Sequence, residues 1–143
     1  MAFYSLAQRT TATATNTPSW EIRSASTNKP KIIEMGLVQV TAVAGQFGIG
    51  RPGAIGVTPT TPQTFVTEDA AGAPAALTTG ALAWGTAPTQ PTFFDRKVSL
   101  NGAVGAAIIW TWPRGFDIQV SSSVIIWIIS TAPVCDVWAV VDE

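Results

Sequence analysis

Ala106-Ala107-Ile108-Ile109-Trp110-Thr111-Trp112, Ser123-Val124-Ile125-Ile126-Trp127-Ile128-Ile129-Ser130 and Val137-Trp138-Ala139-Val140-Val141 decide how this chain folds. All three runs are rich in β-branched and aromatic side chains, and turn chemistry such as Pro113-Arg114-Gly115 and Ala132-Pro133 cuts them off. A strand with one wet face alternates apolar and polar residues, and these runs barely alternate. Both faces of each strand therefore need cover. The chain has almost no helix-forming stretch to supply it, so a second copy of the same chain is the expected source. The pattern predicts an assembly-building β-protein.

Outward from these runs, further strands are predicted over Trp20–Ser26, Lys31–Val43, Lys97–Leu100 and Phe116–Val120. In the second of these the apolar parity changes near Gly36, which predicts a bulge or bend there. Residues 45 to 92 are dominated by Gly, Pro, Thr and Ala. They read as a long loop region that is functional or packs on a partner. Residues 8 to 19 are Thr-rich and low in complexity, so residues 1–19 are expected to form an extended N-terminal arm. Residues 20–143 are expected to form one domain. Short strands with turns at 8–12-residue spacing predict a single antiparallel β-sandwich of jelly-roll type.

Composition narrows the function. Charged residues make up 12 % of the 143 residues, about half the usual share of roughly 25 %. So few charges predict a surface partly buried against something else; a coat of Thr, Ser, Gln and Asn is the alternative. With a net charge of −1 and scattered cations, nucleic acid is not an expected partner. Cys135 is the single cysteine, so it reads as a small buried hydrophobe, with no intrachain disulfide and no four-cysteine zinc site. The N-terminal residues lack the pattern of a signal peptide, and no run approaches the ~18 apolar residues of a membrane span. A soluble protein made in the cytoplasm is expected, with no membrane partner.

The missing side chains weigh against catalysis. With no histidine there is no Ser-His-Asp or Cys-His machinery and no histidine switch. Glu68-Asp69 and Asp142-Glu143 lack calcium-loop spacing and read as solvated charge. Glu21, Glu34, Asp95 and Asp117 are acids that sequence alone gives no reason to pair as a glycosidase would. Gly48-Ile49-Gly50-Arg51-Pro52-Gly53 lacks the ending of a phosphate loop, so its glycines are expected to permit a tight backbone path, with Arg51 free to pair with a carboxylate. No enzyme, cofactor or metal site is expected. The six tryptophans read as core or subunit contact, with sugar stacking as the competing use.

Six segments, taken together, resemble the small jelly-roll decoration (cement) proteins of tailed-bacteriophage capsids. They are Lys29-Pro30-Lys31-Ile32-Ile33-Glu34, Gly48-Ile49-Gly50-Arg51-Pro52, Gly56-Val57-Thr58-Pro59-Thr60, Ala83-Trp84-Gly85-Thr86 with Pro88 and Pro91, Ile108 through Gly115, and Asp136 through Glu143. The resemblance implies a homotrimer on the outer capsid surface of a virion, bound across joints between major capsid protein subunits, with no catalytic residues. Candidate subunit or capsid contacts are Trp110, Trp112, Ile126, Ile128 and Trp138, with Arg51 and Arg114 as polar pairing groups. Since one parity of each strand must face the intrachain core, about half of these are expected to be core residues. A carbohydrate-binding jelly-roll module of a phage adhesin, tail or fibre is the competing expectation.

Overall fold

A computed structural model describes residues 2–11, 14–69 and 72–143 of the chain. Among them are thirteen strands and no helix: β1 (Phe3–Arg9), β2 (Thr17–Arg23), β3 (Lys31–Gln39), β4 (Gly45–Gly50), β5 (Val57–Pro59), β6 (Gln63–Thr64), β7 (Val66–Thr67), β8 (Thr79–Ala81), β9 (Trp84–Thr86), β10 (Arg96–Leu100), β11 (Ala107–Asp117), β12 (Ser123–Ser130) and β13 (Cys135–Asp142). One sheet runs β11-β3-β13-β1-β7, the other β10-β4-β12-β2-β8-β6, and β5 pairs with β9 on its own. All the ladders are antiparallel. The protein is an all-β sandwich.

The long strands alternate between the sheets, β1, β3, β11 and β13 in the first and β2, β4, β10 and β12 in the second. Period-two burial follows. On β13 Cys135, Val137, Ala139 and Val141 point inward, while Asp136, Trp138 and Val140 point outward. Facing them from the second sheet are Trp20 and Ile22 of β2, Phe47 and Ile49 of β4, and Val124, Ile126 and Ile128 of β12, all in one apolar core. Each such side chain taken from water contributes roughly 1.5–3 kcal/mol.

Three expectations change in detail. Residues 3–9 are not a free arm: β1 pairs along its whole length with β13, and Tyr4 and Leu6 sit in the core. Part of the remaining stretch, residues 12 and 13, lies outside the described residues. The irregularity of β3 falls not at Gly36 but at Ile33, between the pairs Val140↔Glu34 and Val141↔Ile32. The Pro113-Arg114-Gly115 turn is instead a bulge inside one long strand, β11, whose register against β3 shifts between Thr111 and Phe116. Pro113 is tolerated there because β11 lies at a sheet edge, where a missing N–H breaks no ladder.

The cover for the apolar runs also comes from an unexpected source. Ile125 and Trp127 on the outer face of β12 are as deeply buried as the core. Trp127 pairs across with Gly48, and a Cβ on Gly48 would fall 2.4 Å from the ring of Phe94. Ile125 pairs with Gly50, whose neighbours on that face are Pro91 and the Phe93 carbonyl. The Gly/Pro-rich segment of the same chain folds back over this face and seals it.

Candidate functional site

The most deeply buried charge belongs to this cover. Glu21 lies on β2 opposite Ile125, on the outer face, and is fully buried. Its Oε1 accepts from the Gly56 amide at 3.1 Å and from the Ser123 hydroxyl at 2.7 Å. Its Oε2 accepts from Trp84 Nε1 at 2.6 Å and from the Arg23 guanidinium at 3.3 Å. Arg23 also donates to the Gly56 carbonyl at 2.5 Å. A carboxylate removed from water needs its lone pairs filled, and here the chain fills them. Gly56 leads into β5 and Trp84 opens β9, so one carboxylate pins both strands of the small sheet to the sandwich. The chemistry of this cluster is retention of the loop.

A second carboxylate holds the same loop region between these two points. The Glu143 side chain accepts from the amides of Leu77 and Thr78, at 2.7 and 3.1 Å, and from the Thr78 hydroxyl at 2.6 Å. Tyr4 donates its hydroxyl to the Pro74 carbonyl at 2.9 Å. Burial and the nearby Glu143 and Asp69 carboxylates push the Tyr4 phenol above its ordinary range.

Among the described residues the first sheet has no such cover over its outer face. Across it, Ile109, Gly36, Trp138 and Ala7 form one cross-strand row. Trp138 lies over Gly36, where a Cβ would stand 2.1 Å from its ring, and donates Nε1 to Glu34 at 2.9 Å. Only glycine leaves room for the indole to lie so low. Ile109 beside it is 54 % exposed, and Val38 and Val140 fill the adjoining rows. Arg9 and Asp136 flank the patch as a bidentate pair at 2.6 and 2.8 Å.

The structure places the sequence candidates in three groups. Trp110, Ile126 and Ile128 are buried in the inter-sheet core and are not available to another subunit; their parity faces inward. Trp112 and Arg51 bracket Phe116 at the bulge of β11. The Trp112 and Phe116 rings stack at 5.4 Å, and the Arg51 guanidinium stands 4.2 Å over Phe116. Arg51 pairs not with a carboxylate but with the Asp117 carbonyl, at 2.8 Å. Arg114 is exposed in the same bulge, and Trp138 is on the uncovered face of the sheet.

Sequence reasoning missed Glu21, Trp84 and Phe94 as the fastening of the cover. Alternation around Trp20 and Ile22 put Glu21 on a polar face; nothing in its spacing marked that face as buried. Cys135 is buried beside the end of β3, and burial pushes its thiol up to about 12. Among the described residues no three His, Cys, Asp or Glu side chains converge on a point that suits a metal. Comparison with known proteins finds no family model, no curated protein and no solved structure that matches this chain.

Proposed function

We propose that this chain is a non-enzymatic structural virion protein that binds the outer surface of a phage capsid as a homotrimer and stabilises it. The observation that carries the reading is the unequal treatment of the two outer faces. One is sealed by the chain's own loop, and the other presents Ile109, Val38, Trp138 and Val140 on a rigid sheet. That second face is the surface assigned to the capsid. The strand orders β1-β13-β3-β11 and β2-β12-β4-β10 support a jelly roll. The six resembling segments and the low charge point the same way. A protein that touches several shell subunits at once gains from the effective concentration of each contact.

The test is co-sedimentation with shells assembled from a major capsid protein encoded alongside this chain. Binding that saturates at a fixed ratio and raises the temperature of shell disruption supports the proposal; chain left in the supernatant overturns it. A second reading, a carbohydrate-binding sandwich, is favoured by Trp138 lying flat over Gly36, as a stacking platform would. Glycan-array binding abolished by Trp138→Ala would select it.

A further inference from the structure

The two ends of the sandwich differ in charge. Four connections meet at one end: residues 10–11 and 14–16 between β1 and β2, 40–44 between β3 and β4, 101–106 between β10 and β11, and 131–134 between β12 and β13. None of them contains an acidic or basic residue. The opposite end carries Lys29, Lys31, Arg51, Arg114, Asp117 and Asp142.

The uncharged end is also built to hold its shape. The Thr10 amide donates to the Cys135 carbonyl at 2.8 Å, and the Gly105 amide to the Gln39 carbonyl at 2.8 Å. The Val134 amide donates to the Thr41 hydroxyl at 3.0 Å, and the Thr131 hydroxyl to the Ala44 carbonyl. The 101–105 loop packs on 42–44, since a Cβ on Gly102 would lie 3.1 Å from the Ala44 amide. On this frame Val104 is 67 % exposed and Val43 41 % exposed.

We infer that copies of this chain meet one another through this uncharged end, around a rotation axis. The inference rests on the self-association in the function proposed above and locates its seam. At a rotation axis each side chain faces its own copies, so a charge of either sign meets its like. A charged partner of another kind would instead call for complementary charge; these connections carry neither sign, and the charges at their rim, Arg9 and Asp136, neutralise each other in a bidentate pair. Interface centres are depleted of charge for the same reason. Its footprint, two sheets about 10 Å apart and some four strands wide with their splayed loops, is on the order of 500 Å². A stable interface buries about 800 Å² per partner. The adjoining Gln46, Ser99, Leu100 and Ser130, at the same ends of β4, β10 and β12, extend the uncharged surface toward that area.

The test uses sedimentation of the full chain at about 100 μM with thermal melts as the folding control. The native chain and Val120→Asp, a charge at the opposite end, are expected to sediment as oligomers. Val104→Asp and Val104→Lys are each expected to give monomers of native stability, and an equimolar mixture of the two to reassemble, because every mixed trimer then holds two attractive contacts against one repulsive. Oligomers that persist in both Val104 variants overturn the seam and leave self-association standing. Dissociation by only one sign overturns it too, because a seam between like copies rejects both. A monomeric native chain overturns self-association itself. Should a Val104 variant melt early, Val43→Asp and Val43→Lys repeat the comparison on the neighbouring loop.

Discussion

The indole nitrogen of Trp84 donates to Glu21 at 2.6 Å, joining the small β5-β9 sheet to a fully buried carboxylate on the outer face of β2. Replacing Glu21 with Gln turns one acceptor into a donor that confronts the Gly56 or Trp84 N–H. Glu21→Gln is expected to cost about 1–3 kcal/mol, read as a lower urea midpoint. Amide exchange at Gly56 should quicken before global unfolding. Unchanged exchange there would mean the carboxylate does not hold the cover.

Gly36 exists to let Trp138 lie down. Gly36→Val sets a side chain where the indole now rests, 2.1 Å from its Cζ2 at the first carbon alone. The ring must swing into solvent and give up Glu34, so tryptophan emission should shift to the red. Because the ring sits on an outer face, the stability lost should stay near 1–2 kcal/mol. Loss of the fold would contradict this account.

Gln39 points into the sandwich with its side-chain amide oxygen and nitrogen both buried and without a hydrogen-bond partner among the described residues. Gln39→Leu keeps the volume and removes two unmet polar atoms. It should stabilise by about 1–3 kcal/mol, raising Tm by a few degrees. A lowered Tm would show that the amide is satisfied.

Asp136 is held below the usual carboxylate range by its hydrogen bond from Arg9, which outweighs its partial desolvation. A lowered carboxylate pKa stabilises above the ordinary value, and the gain is lost as pH falls through the lowered one. The pair is exposed, so the effect on stability is small and screened by salt. NMR titration should find Asp136 moving up in Arg9→Met; no movement would remove Arg9 as the cause.

Cys135 should ignore thiol reagents at neutral pH while the protein is folded, because burial pushes its thiol up to about 12. It should react at once in denaturant. Rapid labelling of the native protein would contradict the packing around β13.

The strands of the last third were legible because their composition and turns are local signals. Parity also carried over: Ile126 and Ile128 share one face, as do Trp110 and Trp112, and that face is inward. The source of the second cover was not legible. Pro91, Phe93 and Phe94 lie in an aperiodic loop, and the closeness of Phe94 to Gly48 exists only in three dimensions. Without that closeness in view, the apolar faces of these strands read as needing another subunit. The N-terminal strand was lost differently. Tyr4 and Leu6 alternate with Phe3 and Ser5, but over too short a span to stand against the Thr-rich residues that follow.

The register joining Arg9 to Asp136 spans 127 positions of chain, and β2 with β12 spans nearly as many. On a ribosome β1 and β2 therefore have only their short ladders to β7 and β8 until β12 and β13 have followed. Tyr4, Trp20 and Ile22 stay uncovered through synthesis of everything between, so closure of the sandwich is a late event. Such pairing is slow, and the open ribbon is vulnerable to aggregation while it waits. Yield should then depend on temperature and expression rate far more steeply than the stability of the finished fold would suggest.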